Sequence, residues 1–329
     1  MRIALDAMGG DNKASEVNVE GAVLAAREMD LEIVLVGDMA VMKRELARHE
    51  TGQLKISLEG ASEVIGMDES PISAIRRKKD SSITRAIGLL RDRKVEAVVS
   101  AGNTGATVAA AKIYLATIPG VDRAAIATLM PTPAGPSVLL DAGANVDSRP
   151  RNLYQFAVMG SIYAEDILGR AEPRVGLLSI GHEKSKGNEL TKEVYRLLED
   201  SSLNFRGNIE GRDIFSSQVD VIVCDGFIGN VVLKACESLA ETLERSLRQE
   251  LKKSLRTKLG VLLSRKAYRN FQRKVDYAER GGAPLLGVDG VCIISHGGSS
   301  PKAIKNALKV ASEFVKHRVN EHIGKAIAE

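Results

Sequence analysis

Seven short apolar, β-rich runs alternate with helical stretches along the chain, at Arg2–Asp6, Leu31–Val36, Val95–Ser100, Val138–Asp141, Arg174–Ile180, Val219–Asp225 and Val291–Ser295. Such alternation builds a largely parallel sheet, because joining two parallel strands takes a crossover long enough to hold a helix. The runs are continuously apolar, as strands buried on both faces must be. The expected fold is a three-layer α/β/α sandwich. No low-complexity linker or internal repeat divides the chain, and the Pro/Gly-rich piece at Met130–Pro136 fits a turn. Residues 1–329 are therefore expected to form one α/β/α catalytic domain, with 229–277 as a projection.

Six of the runs end in a polar, glycine-bearing segment: DAMGGD (Asp6–Asp11), AGNTGA (Ala101–Ala106), DAGAN (Asp141–Asn145), GHEKSKGNE (Gly181–Glu189), DGFIGN (Asp225–Asn230) and SHGGSS (Ser295–Ser300). In an open parallel sheet, segments at the carboxyl ends of strands share one edge, where ligands bind. The expectation is one cleft lined by all six. If Thr104 opens a helix, Gly102, Asn103, Thr104 and Gly105 present backbone N–H groups at its N-terminus, a site for an anion such as phosphate. A plain structural reading stands beside this one, in which Thr104 caps its helix and Asn103 supplies a turn. The loop is neither GxGxxG nor GxxxxGK[ST], so dinucleotide and P-loop readings gain no motif support. Arg76, Arg77, Lys78 and Lys79 cluster ahead of a Ser-rich helix start, either as a solvated face or as a feature that draws an anionic substrate inward.

After DGFIGN, leucines recur mostly four apart from Leu233 to Leu259, describing a helix of about 30 residues and roughly 45 Å. Gly260 breaks the pattern. A returning helix at 261–277 completes a hairpin whose tip carries Leu259, Val261, Leu262 and Leu263. Between Arg245 and Lys274 stand 11 Lys/Arg against the single acid Glu250. That local balance of +10 within an overall +4 leaves −6 for the remainder. A basic arm with an apolar tip suits an anionic membrane surface or an acidic protein. A hairpin whose leucines pair with a second copy is the plainer reading, and both are expected to apply. Nucleic acid is not an expected partner, since no recognised binding motif accompanies the charge.

The opening MRIALDAMGGD is a strand and loop and lacks the pattern of a cleavable signal, and no apolar stretch approaches the roughly 18 residues of a membrane span. A cytoplasmic location with peripheral membrane association is expected. Cys224, Cys236 and Cys292 lack CxxC spacing and read as reduced core thiols. His317 and His322, the closest histidine pair, fall about 140° apart on a helix, so no metal site is expected.

DAMGGD, RRKKDSS, SAGNTGA, LLDAGANVD, KGNEL, VCDGFIGNVVLK and GGAPLLG followed by SHG occur in order along essentially the whole chain. In this it resembles the bacterial phosphate acyltransferase family, enzymes that move a fatty acyl group from acyl carrier protein to inorganic phosphate for phospholipid synthesis. The resemblance implies a homodimer with a Rossmann-like core, related to phosphate acetyltransferases and isocitrate-type dehydrogenases, and peripheral membrane association. The chain departs from the family where Asn12, Lys13 and Ala14 follow DAMGGD, so no histidine duty carries over there. His182 also departs and is read as incidental, while Glu183, Lys186 and Gly187 match.

Near neutral pH phosphate is substantially dianionic, its second pKa being about 6, and a thiolate with pKa near about 8.5 leaves readily. No covalent nucleophile and no cofactor are expected. On the motif matches, Gly102–Gly105 would cradle phosphate and Lys186 would neutralise it. Asn103 or Asn230 would donate to the oxyanion, and Asp6 or Asp225 would orient donors or accept a proton. Each aspartate has the alternative of capping a helix or bracing a turn, and His296 is open between substrate contact and loop packing. Three other functions stay open: transfer from a short acyl-CoA, an NAD-linked oxidoreductase, and a non-catalytic membrane scaffold.

Overall fold

The computed structural model describes residues 1–11, 13–253, 257, 260, 264, 266 and 281–328. All seven apolar runs are strands: β1 (Arg2–Asp6), β2 (Glu32–Gly37), β4 (Ala97–Ser100), β6 (Ser137–Leu140), β7 (Val175–Leu178), β9 (Val221–Val223) and β11 (Val291–Ile294). Four more join them: β3 (Ile56–Gly60), β5 (Ala125–Met130), β8 (Phe205–Ile209) and β10 (Ala283–Leu286). The sheet order is β3-β2-β1-β4-β11-β10-β5-β6-β9-β7-β8. β3 and β8 close its two edges, where one side of a strand needs no apolar cover, and this is why ISLEG and FRGNI carry no continuous apolar run.

Helices cover both faces. On one lie α1 (Ala14–Glu28), α2 (Met39–Leu46), α6 (Pro150–Asp166), α7 (Glu189–Glu199), α9 (Pro301–Lys316) and α10 (Val319–Ala328). They bury Ala22, Met42, Phe156, Leu198, Ile304 and Ile323 against the strands. The Tyr163 and Phe314 rings meet at 5.4 Å in this layer. The other face carries α3 (Pro71–Arg77), α4 (Ser82–Arg91), α5 (Thr104–Tyr114) and the first turns of α8 (Gly226–Lys252), through Ile75, Ile87, Ala111 and Leu233. Each fully buried side chain of this size contributes about 1.5–3 kcal/mol, which is what holds three layers together.

One topological feature overturns an expectation. β10 pairs antiparallel with both β11 and β5, and β5 pairs antiparallel with β6. Three reversals in succession leave β6, β9 and β7 running opposite to β1, β4 and β11, although each trio is parallel within itself. The six glycine-bearing segments therefore do not line one edge. DAMGGD, AGNTGA and SHGGSS share one; DAGAN, GHEKSKGNE and DGFIGN share the other.

α8 agrees with the leucine spacing over its 27 residues, and every residue from 241 to 250 is exposed as the helix leaves the body. The tip residues Leu259, Val261, Leu262 and Leu263 and the returning helix at 261–277 lie outside the described residues.

Candidate functional site

At the carboxyl ends of β1, β4 and β11 the polar groups are engaged with one another. Asp6 is buried, and its Oδ1 accepts from the N–H groups of Met8 at 3.2 Å and Gly9 at 3.1 Å. Its Oδ2 accepts the Ser100 hydroxyl at 2.8 Å. Burial raises the Asp6 carboxyl above its usual range against these bonds. Asp6 thus braces the β1 and β4 loops where they touch. A side chain on Gly9 would strike Gly102 and Asp6, which is why glycine stands at both crossing points.

The helix N-terminus after β4 is largely filled by the protein itself. Ser100 Oγ takes the Gly102 N–H at 3.1 Å, and Asn103 Oδ1 caps α5 by accepting the Ala106 N–H at 3.0 Å. The Asn103 amide nitrogen faces the carbonyls of Gly66, Met67 and Glu69 at 3.2, 2.9 and 3.1 Å. Asn103 is a bracket joining α5 to the segment ahead of α3, and it has no donor left for an oxyanion. The cradle expected at Gly102–Gly105 loses the Gly102 N–H and the Asn103 side chain and shrinks to the backbone N–H groups of Asn103, Thr104 and Gly105. Beside it lies a pocket of about 130 Å³ lined by Gly9, Asp11, Asn18, Gly297 and Ser299. The Asp11 carboxylate lies against Gly297 and Gly298, which sets a negative charge where an anion would rest. His296 is exposed, and its Nδ1 accepts the Gly298 N–H of the same loop at 3.0 Å.

The opposite edge carries Asp141, Lys186, Asp225 and Asn230 in the segments that follow three adjacent strands, β6, β7 and β9. Asp141 is the internal frame. Its Oδ1 accepts from Ile126, Gly143 and Ala144 N–H, each at 3.0 Å, and its Oδ2 from the N–H and amide of Asn145 at 2.8 and 2.9 Å. Burial raises its carboxyl. Gly226 and Gly229 let the first turn of α8 press onto this loop, since a side chain at either would collide with Asp141 or Asn145. Lys112 of α5 pins the same loop from outside, its ammonium 3.0 Å from Ala144 O and 3.0 Å from Asn145 Oδ1. Loss of hydration there lowers the Lys112 pKa. Neither Lys112 nor the bracing role of Asn145 carried a sequence signal, because both act through contacts distant in the chain.

Asp225 caps α8, its Oδ1 accepting the Ile228 N–H at 3.0 Å. Asn230, one turn on, is exposed beside Gly143, and its amide has no intramolecular hydrogen bond among the described residues. Lys186 is presented by a loop fixed at several points. Asn208 donates to Glu183 O at 3.0 Å, His182 Nε2 lies 3.3 Å from Asp213 Oδ2, and the Lys186 N–H closes a turn on Glu183 O at 2.9 Å. Gly187 follows at φ +100, a conformation that favours glycine, with Thr191 and Ser179 where a side chain would sit. The Lys186 ammonium has no ion partner among the described residues, and its side chain is exposed.

Six strand spacings separate β4 from β7, roughly 29 Å at about 4.8 Å each. Lys186 cannot neutralise a phosphate held at Gly102–Gly105 in the same chain. The groups left free for a ligand on the second edge are a cation, an amide and the N-terminus of a long helix, the combination that attracts an anion.

A twisted, mostly parallel sheet between two helix layers, with polar loops at strand carboxyl ends, defines a Rossmann-like α/β/α protein. The chain belongs to the fatty acid synthesis protein family, whose model matches residues 1–322. It is 54% identical over 323 residues to the phosphate acyltransferase of Geobacter sulfurreducens, covering 98% of this chain and 93% of that one. Identity to the phosphate acyltransferase of Syntrophotalea carbinolica is 55% over 321 residues, with coverages of 98% and 92%. Among solved structures, a phosphotransacetylase from Streptococcus pyogenes shares the fold with a TM-score of 0.61 at 18% identity, covering 100% of this chain and 94% of its own. A branched-chain phosphotransacylase from Enterococcus faecalis gives 0.60 at 14%, with coverages of 96% and 99%.

Proposed function

We propose that the chain transfers a fatty acyl group from acyl carrier protein to inorganic phosphate, producing acyl phosphate for phospholipid synthesis. The likeness to phosphate acyltransferases over nearly the whole length supplies the substrate class. One observation on the molecule carries the location: Lys186, in the loop after β7, and Asn230, in the second turn of α8 after the neighbouring β9, stand exposed at the same sheet edge and without a hydrogen-bond or ion partner for their side chains among the described residues. Phosphate binds there, drawn by the Lys186 ammonium and by the Gly226 and Phe227 N–H groups that the Asp225 cap leaves open. Asn230 donates to the oxyanion that develops as a phosphate oxygen attacks the thioester carbon. The Asp225 oxygen not used in capping accepts the remaining proton of a monoanionic phosphate, and the thiolate leaves without covalent catalysis.

The active unit is a homodimer that docks on an anionic membrane surface. Support for the dimer comes from Leu239, Leu243 and Leu247, exposed on α8 at four-residue spacing; support for docking comes from the +10 balance between Arg245 and Lys274. No helix among the described residues is long and apolar enough to cross a membrane.

The test uses the protein with acyl carrier protein thioester and phosphate, and traps product with hydroxylamine. An acyl hydroxamate that requires phosphate is expected. Its absence with the carrier thioester, or its formation from acyl-CoA alone, overturns the reading.

A further inference from the structure

Val146, Ile180, Phe227 and Val231 are 67%, 81%, 58% and 53% exposed, unusually open for large apolar side chains, and they belong to the segments that follow β6, β7 and β9 at the second edge. Val146 follows Asn145, whose carbonyl lies against Gly226 at the first turn of α8. Ile180 precedes Gly181, which lies against the stem of Lys186. Phe227 stands three residues before Asn230 and four before Val231, so these three are neighbours on the helix surface.

The exposed leucines of α8 point elsewhere. At about 100° per residue, Phe227 and Val231 fall roughly 160° around the helix from Leu243 and Leu247. The leucines continue the face that carries the buried Gly229 and Leu233, so a second copy that packs on them leaves Phe227 and Val231 on the far side. The two apolar surfaces therefore have different occupants.

We propose that Val146, Ile180, Phe227 and Val231 form the subsite for the acyl chain of the donor. The inference rests on the transferase reading and deepens it. A thioester carbonyl held between Lys186 and Asn230 has its polar head committed to that spot, so its hydrocarbon tail must leave over whatever adjoins it. What adjoins it is apolar surface that water otherwise covers at a free-energy cost. All four side chains are more than half exposed, a surface that favours long chains progressively and sets no sharp length limit.

The experiment compares kcat/KM for hexadecanoyl and butyryl thioesters of acyl carrier protein in the wild type and in Phe227→Asn and Ile180→Asn. These positions are exposed, and each variant checks the other. The preference for the long chain is expected to fall about tenfold in both, the scale on which a few methylenes discriminate. An unchanged ratio in both overturns the proposal. So does a change in mass by light scattering or in vesicle binding with the ratio intact, which would assign the surface to a second copy or to a membrane. If the wild type forms no trappable product from either donor, it is the transferase reading that fails.

Discussion

Lys186 and Asn230 are exposed, and their side chains make no hydrogen bond or ion pair among the described residues, so removing either is expected to act on the reaction and spare the fold. Lys186→Ala and Asn230→Ala are each expected to lower turnover about a hundredfold with an unchanged melting midpoint. Wild-type rates in both would take the reaction away from the second edge. Asn103 behaves in the opposite way. Its oxygen caps α5 and its nitrogen ties down the carbonyls of Gly66, Met67 and Glu69. Asn103→Ala is expected to cost about 1 kcal/mol or more in stability, read by denaturant unfolding. The motif AGNTGA marked Asn103 as important without saying why, because a donor aimed at substrate and a donor aimed at a neighbouring loop are the same letter in a sequence. Asp6 and Asp225 pose the same ambiguity: Asp6 braces its loop, while Asp225 caps α8 through one oxygen and keeps the other for the role proposed above.

The segment between β3 and α3 shows how such contacts add up within an element. Asp80 accepts from both the hydroxyl and the N–H of Ser62 and pairs with Arg85, while Lys78 holds Val64 O and the Glu69 carboxylate. The basic run RRKKD therefore fastens its own surroundings in part: Lys78 is engaged and Arg77 lies 3.9 Å from Glu69. The Ser62 hydroxyl and then the Arg85 guanidinium lower the Asp80 carboxyl from 3.8 to about 2. A depressed folded-state value means that this contribution to stability is complete above the unfolded value near 3.8 and is lost as pH falls toward about 2. Asp80→Asn is expected to lack that part of the acid-induced loss. Unfolding midpoints of variant and wild type should converge as pH drops through this window, and a gap that stays constant would remove the assignment. Strand identity was legible at seven runs buried on both faces and illegible at β3 and β8, where partial exposure broke the pattern; β5 and β10 are buried as well and were still missed.

At the scale of the whole molecule, the alternation of runs specified three layers but not the direction of each strand. Two of the reversals are short turns out of β5 and out of β10, at the Pro/Gly-rich segment Met130–Pro136 and at Gly287–Gly290. The reversals moved three of the six loops to the far edge and with them Lys186, Asp225 and Asn230. The proposed membrane docking draws on the stretch from Arg245 to Lys274, which neither edge includes. Its eleven cations against one acid over thirty residues would attract an anionic bilayer at about 1 kcal/mol for each cation near the surface, an attraction that weakens with salt. Leu262 and Leu263 lie in the middle of this charge and would add apolar insertion that salt does not screen. Replacing both by Asp is expected to leave hydroxamate formation from soluble substrates intact. It should make flotation with anionic vesicles weaker and fully reversible by salt, whereas the wild type keeps a salt-resistant fraction. Equal flotation of variant and wild type at every ionic strength would mean that charge alone holds the arm to the surface and that the leucines serve another contact.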